Sequence, residues 1–480
     1  MCRYGGKVMS YELVVGLETH VELLTKTKIF CGCKNAFGSE PNTNCCPICI
    51  GLPGTLPKLN REVVNFAIKA GLALNCTINL KSKMDRKNYV YPDLSKAYQI
   101  SQFYTPICKN GYVELSSGKR IRIHQIHMEE DAGKLVHKSG DVYVDYNRGG
   151  VPLLEIVTEP DISSSEEARE YVEKLQMIMR YIGVSDCKMQ EGSMRCDVNV
   201  SVKPKGSRVL GTRTEIKNMN SITFMTKAID YEYKRHIAIL ESGEKVIQQT
   251  LRYVEETNST ESMRSKEDAQ DYRYFGDPDL VEINLEESYV EDIRKMLPEL
   301  PISRFKRYTN EFGIPEKDAI LIVKYKNVSD FFEAASDGLK NPKTVSNFII
   351  GQIFRSIETE SEREKFEILT SPEQLHELVK LVEEGKINMN LAKKTFTKML
   401  ESGKSVSEFV SENDMKGISD EEIEKLCKEA ISNNESAAKD YLSGKEKALK
   451  AMLGYVMKAT RGKGDALIIE KKLIEILKNS

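Results

Sequence analysis

Four polar strings set among apolar residues carry the chemistry that this sequence offers. The first is Gly16-Leu17-Glu18-Thr19-His20-Val21-Glu22-Leu23. In an extended strand Glu18, His20 and Glu22 project to one side. Carboxylate, imidazole and carboxylate on one strand face make a poor core but a good seat for a metal or a metal–polyphosphate complex. The second string is His127-Met128-Glu129-Glu130-Asp131-Ala132-Gly133-Lys134. The third, Arg148-Gly149-Gly150-Val151-Pro152-Leu153-Leu154-Glu155, sets a lone carboxylate among apolar residues, where an unpaired charge is costly. The fourth, Glu191–Val200, puts Arg195, Asp197 and Asn199 on one strand face. Hard oxygen donors with one histidine favour Mg2+ or Mn2+ over zinc. Such an ion would bridge nucleotide phosphates and neutralise charge during phosphoryl transfer. Singly, each string reads as a solvated strand face. Together they point to a site, because isolated charges among apolar residues need partners.

A second chemistry lies in the cysteines. Cys31, Cys33, Cys45, Cys46 and Cys49 cluster, and the other six of the eleven are scattered. C-x-C, then twelve residues, then C-x2-C suits four thiolates on one tetrahedral zinc. Cys46 and Cys49 have the knuckle spacing, with Gly51 free to take the positive φ of the turn, so Cys45 is the spare. The alternatives are buried thiols, which seldom cluster this way, and disulfides, for which no secretory segment argues. A fifth string, Lys81–Gln102, interleaves Lys83, Arg86, Lys87 and Lys96 with Tyr89, Tyr91 and Tyr98. It suits phosphate, or a carboxylate and an amide, as well as it suits a solvated basic loop.

The elements that must position these residues follow from texture. The 480 residues carry 30% charged and 40% apolar side chains, a soluble globular balance spread over about three domains. No apolar run reaches membrane-spanning length, and Met1–Ser10 is too short and polar for a signal peptide, so a cytoplasmic protein is expected. A formal charge of −2 argues against non-specific coating of nucleic acid, so any RNA contact must be a local patch. Up to about residue 295 the chain is strand-rich, with strands expected at Tyr11–Gly16, Tyr112–Leu115, Arg120–His124, Val142–Asp145 and Val198–Val202. Two helices are expected among them, Asn60–Leu74 and Ser163–Gly183. Residues 296–403 read as a helical domain and 404–480 as a helical tail. There is no P-loop, no dinucleotide fingerprint and no G-x-S-x-G elbow, and six histidines leave little room for a Cys–His dyad, so if amide chemistry happens here the chain does not obviously make its own ammonia.

The strings together resemble the GatB family, the B subunits of tRNA-dependent amidotransferases. The match runs through Gly16–Leu23, Asp85–Asp93, Lys96–Gln102, His127–Lys134, Arg148–Glu155, Glu191–Val200, Glu215–Ser221 and Asp271–Phe275. Tyr441–Lys445 and Met457–Lys463 look like the YqeY-type tail of that family. The resemblance implies an α+β fold: a β-rich cradle over 1–295, then the helical domain, then a tRNA-binding tail. It implies a heterotrimer with the GatA amidase and GatC, in which ATP and Mg2+ serve to phosphorylate the side chain of Glu-tRNA(Gln) or Asp-tRNA(Asn) before ammonia displaces phosphate. Carried over residue by residue, His20, Glu130 and Glu155 would hold Mg2+ with Glu18 adjacent, and Cys31, Cys33, Cys46 and Cys49 a structural Zn2+. Lys87 would serve phosphoryl transfer or ammonia delivery, with Arg86, Lys96, Arg195, Asp197 and Asn199 around the nucleotide. Two rivals remain: a non-enzymatic RNA-binding zinc scaffold, and a stand-alone ligase acting on a free amino acid. One-sided acidic strands disfavour the first, since they repel phosphate unless a cation intervenes. The basic tail, unneeded for a small substrate, disfavours the second.

Overall fold

The computed structural model describes residues 3–4, 7–8, 10–265, 272–411, 420–460 and 466–478. They group into two compact units, Met1–Leu300 and Pro301–Ser480.

The first unit is built on a nine-stranded sheet. Its strands are β1 (Tyr11–Glu22), β2 (Thr77–Ile78), β3 (Cys108–Glu114), β4 (Arg120–Glu130), β5 (Pro152–Thr158), β6 (Met194–Pro204), β7 (Thr214–Met219), β8 (Gln249–Val254) and β9 (Ser259–Ser265). Their order is β9-β8-β7-β6-β1-β5-β4-β3-β2, and all pairs are antiparallel except β7 with β8. Period-two alternation divides the sheet. Leu17, Thr19 and Val21 of β1, Ile126 and Met128 of β4, Leu154 and Ile156 of β5 and Cys196 and Val198 of β6 are buried in one core. The intervening residues, Glu18, His20, Glu22, Glu155, Arg195 and Asn199, form the opposite, polar face. The helices Arg61–Ala73 (α1), Ser165–Tyr181 (α2), Ile222–Glu241 (α3) and Glu287–Lys295 (α4) contribute to the same apolar cluster.

Helices α1 and α2 fall where the caps place them. Asn60 accepts from Glu62 N and Ser164 from Glu167 N. Helix α3 stands in a stretch that shows no clean apolar stripe. Its buried side carries Glu232 and His236 beside Met225, Ala228 and Ile229, so charge masks the periodicity. Glu232 is fully buried and accepts from Thr214 Oγ1 at 2.8 Å, Thr260 Oγ1 at 2.5 Å and both ends of the Arg235 fork. Although burial opposes its ionisation, Arg235 and these donors hold its carboxyl at about 2. A carboxylate depressed on folding adds stability above its unfolded value and loses it as pH falls towards the folded one. Chemical denaturation of wild type between pH 5 and pH 3 should therefore show a steeper loss than in Glu232→Gln, by about 2 kcal/mol. Equal slopes would remove Glu232 as the cause.

The second unit is helical. Pro301 opens its first helix, Pro301–Asn310, so Leu297–Pro301 leads straight into helix. Pro342, with Asn341 before it, stands at the first position of another, Pro342–Phe348. Tyr308, Phe332, Phe348 and Phe396 are buried there. The tail helices Asp420–Asn433, Glu435–Leu442, Leu449–Ala459 and Ala466–Lys478 share a separate apolar cluster. Leu449, Met452 and Val456 are buried in it, with Leu453 packed at its edge. No helix among the described residues is long and apolar enough to cross a membrane.

Candidate active site

Register assembles the polar face of the first unit. On β1, His20 pairs with Glu155 of β5 on one side and Arg195 of β6 on the other. Glu155 in turn pairs with His127 of β4, and Asp197 with Glu18. Side chains at paired positions point the same way, so residues remote in sequence converge. His20 Nε2 lies 3.3 Å from Glu129 Oε1 and 3.6 Å from Glu155 Oε2, and His127 Nε2 is 2.9 Å from the same Glu155 oxygen. Ligand atoms of His20, Glu129 and Glu155 all lie within 4.8 Å of one another. Burial disfavours charge on each group, but the carboxylates overcome it and hold His20 well above its usual range. Against the same burial, His127 and His20 hold Glu155 well below its own.

The structure gives the third place beside His20 and Glu155 to Glu129, whereas the resemblance implies Glu130. Successive residues of β4 point to opposite faces, so the two carboxylates face different surroundings. Glu130 accepts from Lys96 Nζ at 2.5 and 2.7 Å and from Ile100 N at 2.9 Å, on the adjoining strand Tyr98–Ser101. The EE dipeptide could not say which carboxylate faces which way; the start of β4 and its alternation could. His127, inside the second string but not singled out there, is likewise brought in by pairing with Glu155.

The other expected residues hold one another. Glu18, Asp197 and Glu215 form a second acidic trio, and Lys217 Nζ occupies it at 2.7 Å from Asp197 Oδ2 and 2.6 Å from Glu215 Oε1. Asn199 Nδ2 donates to Glu18 Oε1 at 2.9 Å. Arg195 meets Asp131 at 3.0 Å, and Arg148 reaches the same oxygen at 3.4 Å. Arg86 pairs with Asp277 and Asp279 and lies over the Tyr98 ring. Lys87 Nζ stands 4.8 Å from the Tyr272 ring centre. Among the described residues no carboxylate is within ion-pair distance of Lys87.

The cysteine loop closes one end. Sγ of Cys31, Cys33, Cys46 and Cys49 lie within 4.8 Å of one another, with Cys49 3.4, 3.7 and 3.8 Å from Cys31, Cys33 and Cys46. Zn–S bonds of about 2.3 Å in a tetrahedron require sulfurs about 3.8 Å apart, so the donor set fits zinc. Cys45 instead donates to Asn42 O. Gly51 takes φ +66°, and a Cβ there would meet Ser95 O at 2.9 Å. Donation from Cys31, against the cost of burial, lowers the Cys49 thiol below its usual range, with Lys28 Nζ 3.5 Å away. Ser95 Oγ donates to Cys49 O, and Lys96 lies over Phe30, so the loop braces the lysine that holds Glu130.

The sheet face gathers carboxylates, imidazoles and cations, with four cysteines grouped in one loop. Residues 13–291 match the GatB/GatE catalytic domain and residues 330–477 the GatB domain. The chain belongs to the GatB family, the B subunits of tRNA-dependent amidotransferases, which are ligases. It is 51% identical to the aspartyl/glutamyl-tRNA(Asn/Gln) amidotransferase B subunit of Thermoanaerobacter sp. (strain X514), over 98% of this chain and 100% of the relative. The corresponding B subunit of Caldicellulosiruptor saccharolyticus is 50% identical over 98% and 99%, and that of Clostridium kluyveri 49% over 97% and 99%.

Proposed function

We propose that this chain uses ATP to phosphorylate the side-chain carboxylate of Glu-tRNA(Gln), Asp-tRNA(Asn) or both, and then exchanges that phosphate for ammonia. A carboxylate oxygen attacks the γ-phosphorus, ADP leaves, and ammonia displaces phosphate to give the amide. The single observation that carries this reading is the convergence of His20, Glu129 and Glu155, three hard donors on one sheet face. These residues fit Mg2+, which when bound would neutralise phosphate charge. Lys87 is the cation best placed to meet charge that develops on the transferred group, since Arg86, Lys96 and Arg195 already hold carboxylates. Glu130 acts through Lys96 by fixing its ammonium.

The nucleotide base fits a slot lined by Val14, Gly16, Val157, Pro160 and Leu210 beside Glu18. Asn199 Oδ1 is buried there with no hydrogen-bond partner among the described residues, and an exocyclic amine would satisfy it. Four residues of strand separate Gly16 from His20, about 13 Å, which spans a nucleotide from base to terminal phosphate. Structural zinc in the cysteine loop, GatA and GatC as partners, ammonia from GatA and a cytoplasmic location complete the reading. The test is co-expression of the three subunits with radiolabelled ATP and each misacylated tRNA. Phosphorylated aminoacyl-tRNA formed without glutamine supports it. Transamidation without ATP consumption would overturn it.

The 404–480 segment serves in this reading as the tRNA arm. Lys445, Lys447, Lys450 and Lys458 are exposed around the helix Leu449–Ala459, although Lys445 also pairs with Asp440. Arg461, Gly462 and Lys463 lie outside the described residues. Deleting residues from about 405 should weaken tRNA binding and flatten its salt dependence, with ATP binding and subunit assembly retained. Unchanged affinity at every salt concentration would discard the arm.

A further inference from the structure

Beside the polar face, five aromatic rings touch in sequence. Tyr104 meets Phe103 edge-on at 5.1 Å, and Phe103 stacks on Tyr274 at 4.3 Å with 13° between planes. Tyr274 meets Tyr272 at 6.1 Å, and Tyr272 meets Tyr89 at 5.9 Å. These rings are not a core. Phe103 is 52% and Tyr104 57% exposed, which a soluble surface seldom allows two adjacent aromatics without a use. Nor are they loose. The buried Asp85 accepts from Phe103 N at 2.7 Å and Tyr104 N at 3.1 Å, and Tyr104 OH donates to Tyr274 O at 3.0 Å. Burial first, and then the charges of Glu155 and Glu129, raise the Tyr274 phenol, so the inner rings stand within electrostatic reach of the acidic site. Lys87 sits over Tyr272 and Tyr89 with no carboxylate within ion-pair distance among the described residues.

We infer that this ladder seats the unpaired terminal adenosine of the aminoacyl-tRNA, its base stacked on Phe103 and Tyr274 and a backbone phosphate near Lys87. The inference rests on the function proposed above and adds the subsite that orients the acceptor end. Exposed rings with an interleaved cation are how single-stranded nucleic acid is held, because every base has a face to stack. A small cofactor's base needs a recessed seat with a polar partner, and the slot at Asn199, with its buried unpartnered Oδ1, supplies one. The aminoacyl group is esterified to the ribose that carries the terminal base. A base on the ladder therefore leaves the side-chain carboxylate free to reach towards His20, Glu129 and Glu155.

The test uses the assembled complex and a tRNA with 2-aminopurine at its 3′ terminus. Wild type should quench the probe. Phe103→Ala and Tyr274→Ala should abolish quenching and weaken aminoacyl-tRNA binding on the order of tenfold. Phe103→Tyr should restore both, and affinity for a fluorescent ATP analogue should stay unchanged throughout. Full quenching and unchanged tRNA affinity in both alanine variants would overturn the inference. A loss confined to the ATP analogue would assign the ladder to the cofactor's base, and failure to co-purify with the other two proteins of the complex would assign it to a protein contact; either result overturns it. If wild type itself forms no phosphorylated aminoacyl-tRNA, the kinase reading fails. If it does and the alanine variants match it in tRNA binding, only the ladder fails.

Discussion

Glu155→Ala should lower ATP-dependent phosphorylation of aminoacyl-tRNA by a hundred- to a thousandfold, roughly the cost of removing one preorganised electrostatic group. Glu155 is shared by His20 and His127 and pairs in register with both, so no neighbour can take its place. Glu129→Gln should show a loss of the same order, because Glu129 completes the trio with His20. Glu130→Gln should cost less, since the amide oxygen can still accept from Ile100 N while Lys96 loses its counter-charge. Single-turnover transfer from labelled ATP measures all three, with glutaminase activity of the co-expressed complex as the control for assembly. A Glu130→Gln loss larger than that of Glu129→Gln would reverse the assignment of the two carboxylates.

Cys49→Ser should lower zinc from one ion per chain to well below it. Cys49 is the central sulfur, within 3.8 Å of each of the other three. Thiolate donors suit zinc, and structural sites of this kind contribute their binding free energy to folding. The loop also braces the site through Ser95 and Phe30, so loss of metal should shift thermal melting downward by several degrees and lower phosphorylation with it. Cys45→Ser, whose thiol only donates to Asn42 O, should keep its zinc. Elemental analysis of protein purified without chelator decides the matter: full zinc in Cys49→Ser, or none in wild type, would defeat it.

Much of this architecture was legible where local rules act alone. The amphipathic stripe and Ser cap of α2 place it within two residues of the expected Ser163–Gly183. The alternation of Glu18, His20 and Glu22 marks their common face, although β1 runs on to Glu22 where Tyr11–Gly16 was expected. The knuckle spacing separates Cys46 from Cys45. What stayed hidden depends on partners far along the chain. Helix α3 conceals its buried side because Glu232 and His236 find Thr214 and Thr260 only after folding. Glu129 and Glu130 differ only by the phase of β4, and Lys217 is a spare lysine until β7 aligns beside β6 and carries it to Asp197. The ladder joins residues 103 and 274, a pairing that no single segment shows.

The register of β1 has a consequence for how such a site can change over evolutionary time. His20 is locked between Glu155 and Arg195 by two ladders at once, each with period two. Losing or gaining one residue inside β1 would send Thr19 or Val21 to the metal side and drive His20 into the core. Descendants can therefore explore this cluster by exchanging letters but not by changing their spacing, whereas the loops that join the strands are free to vary in length.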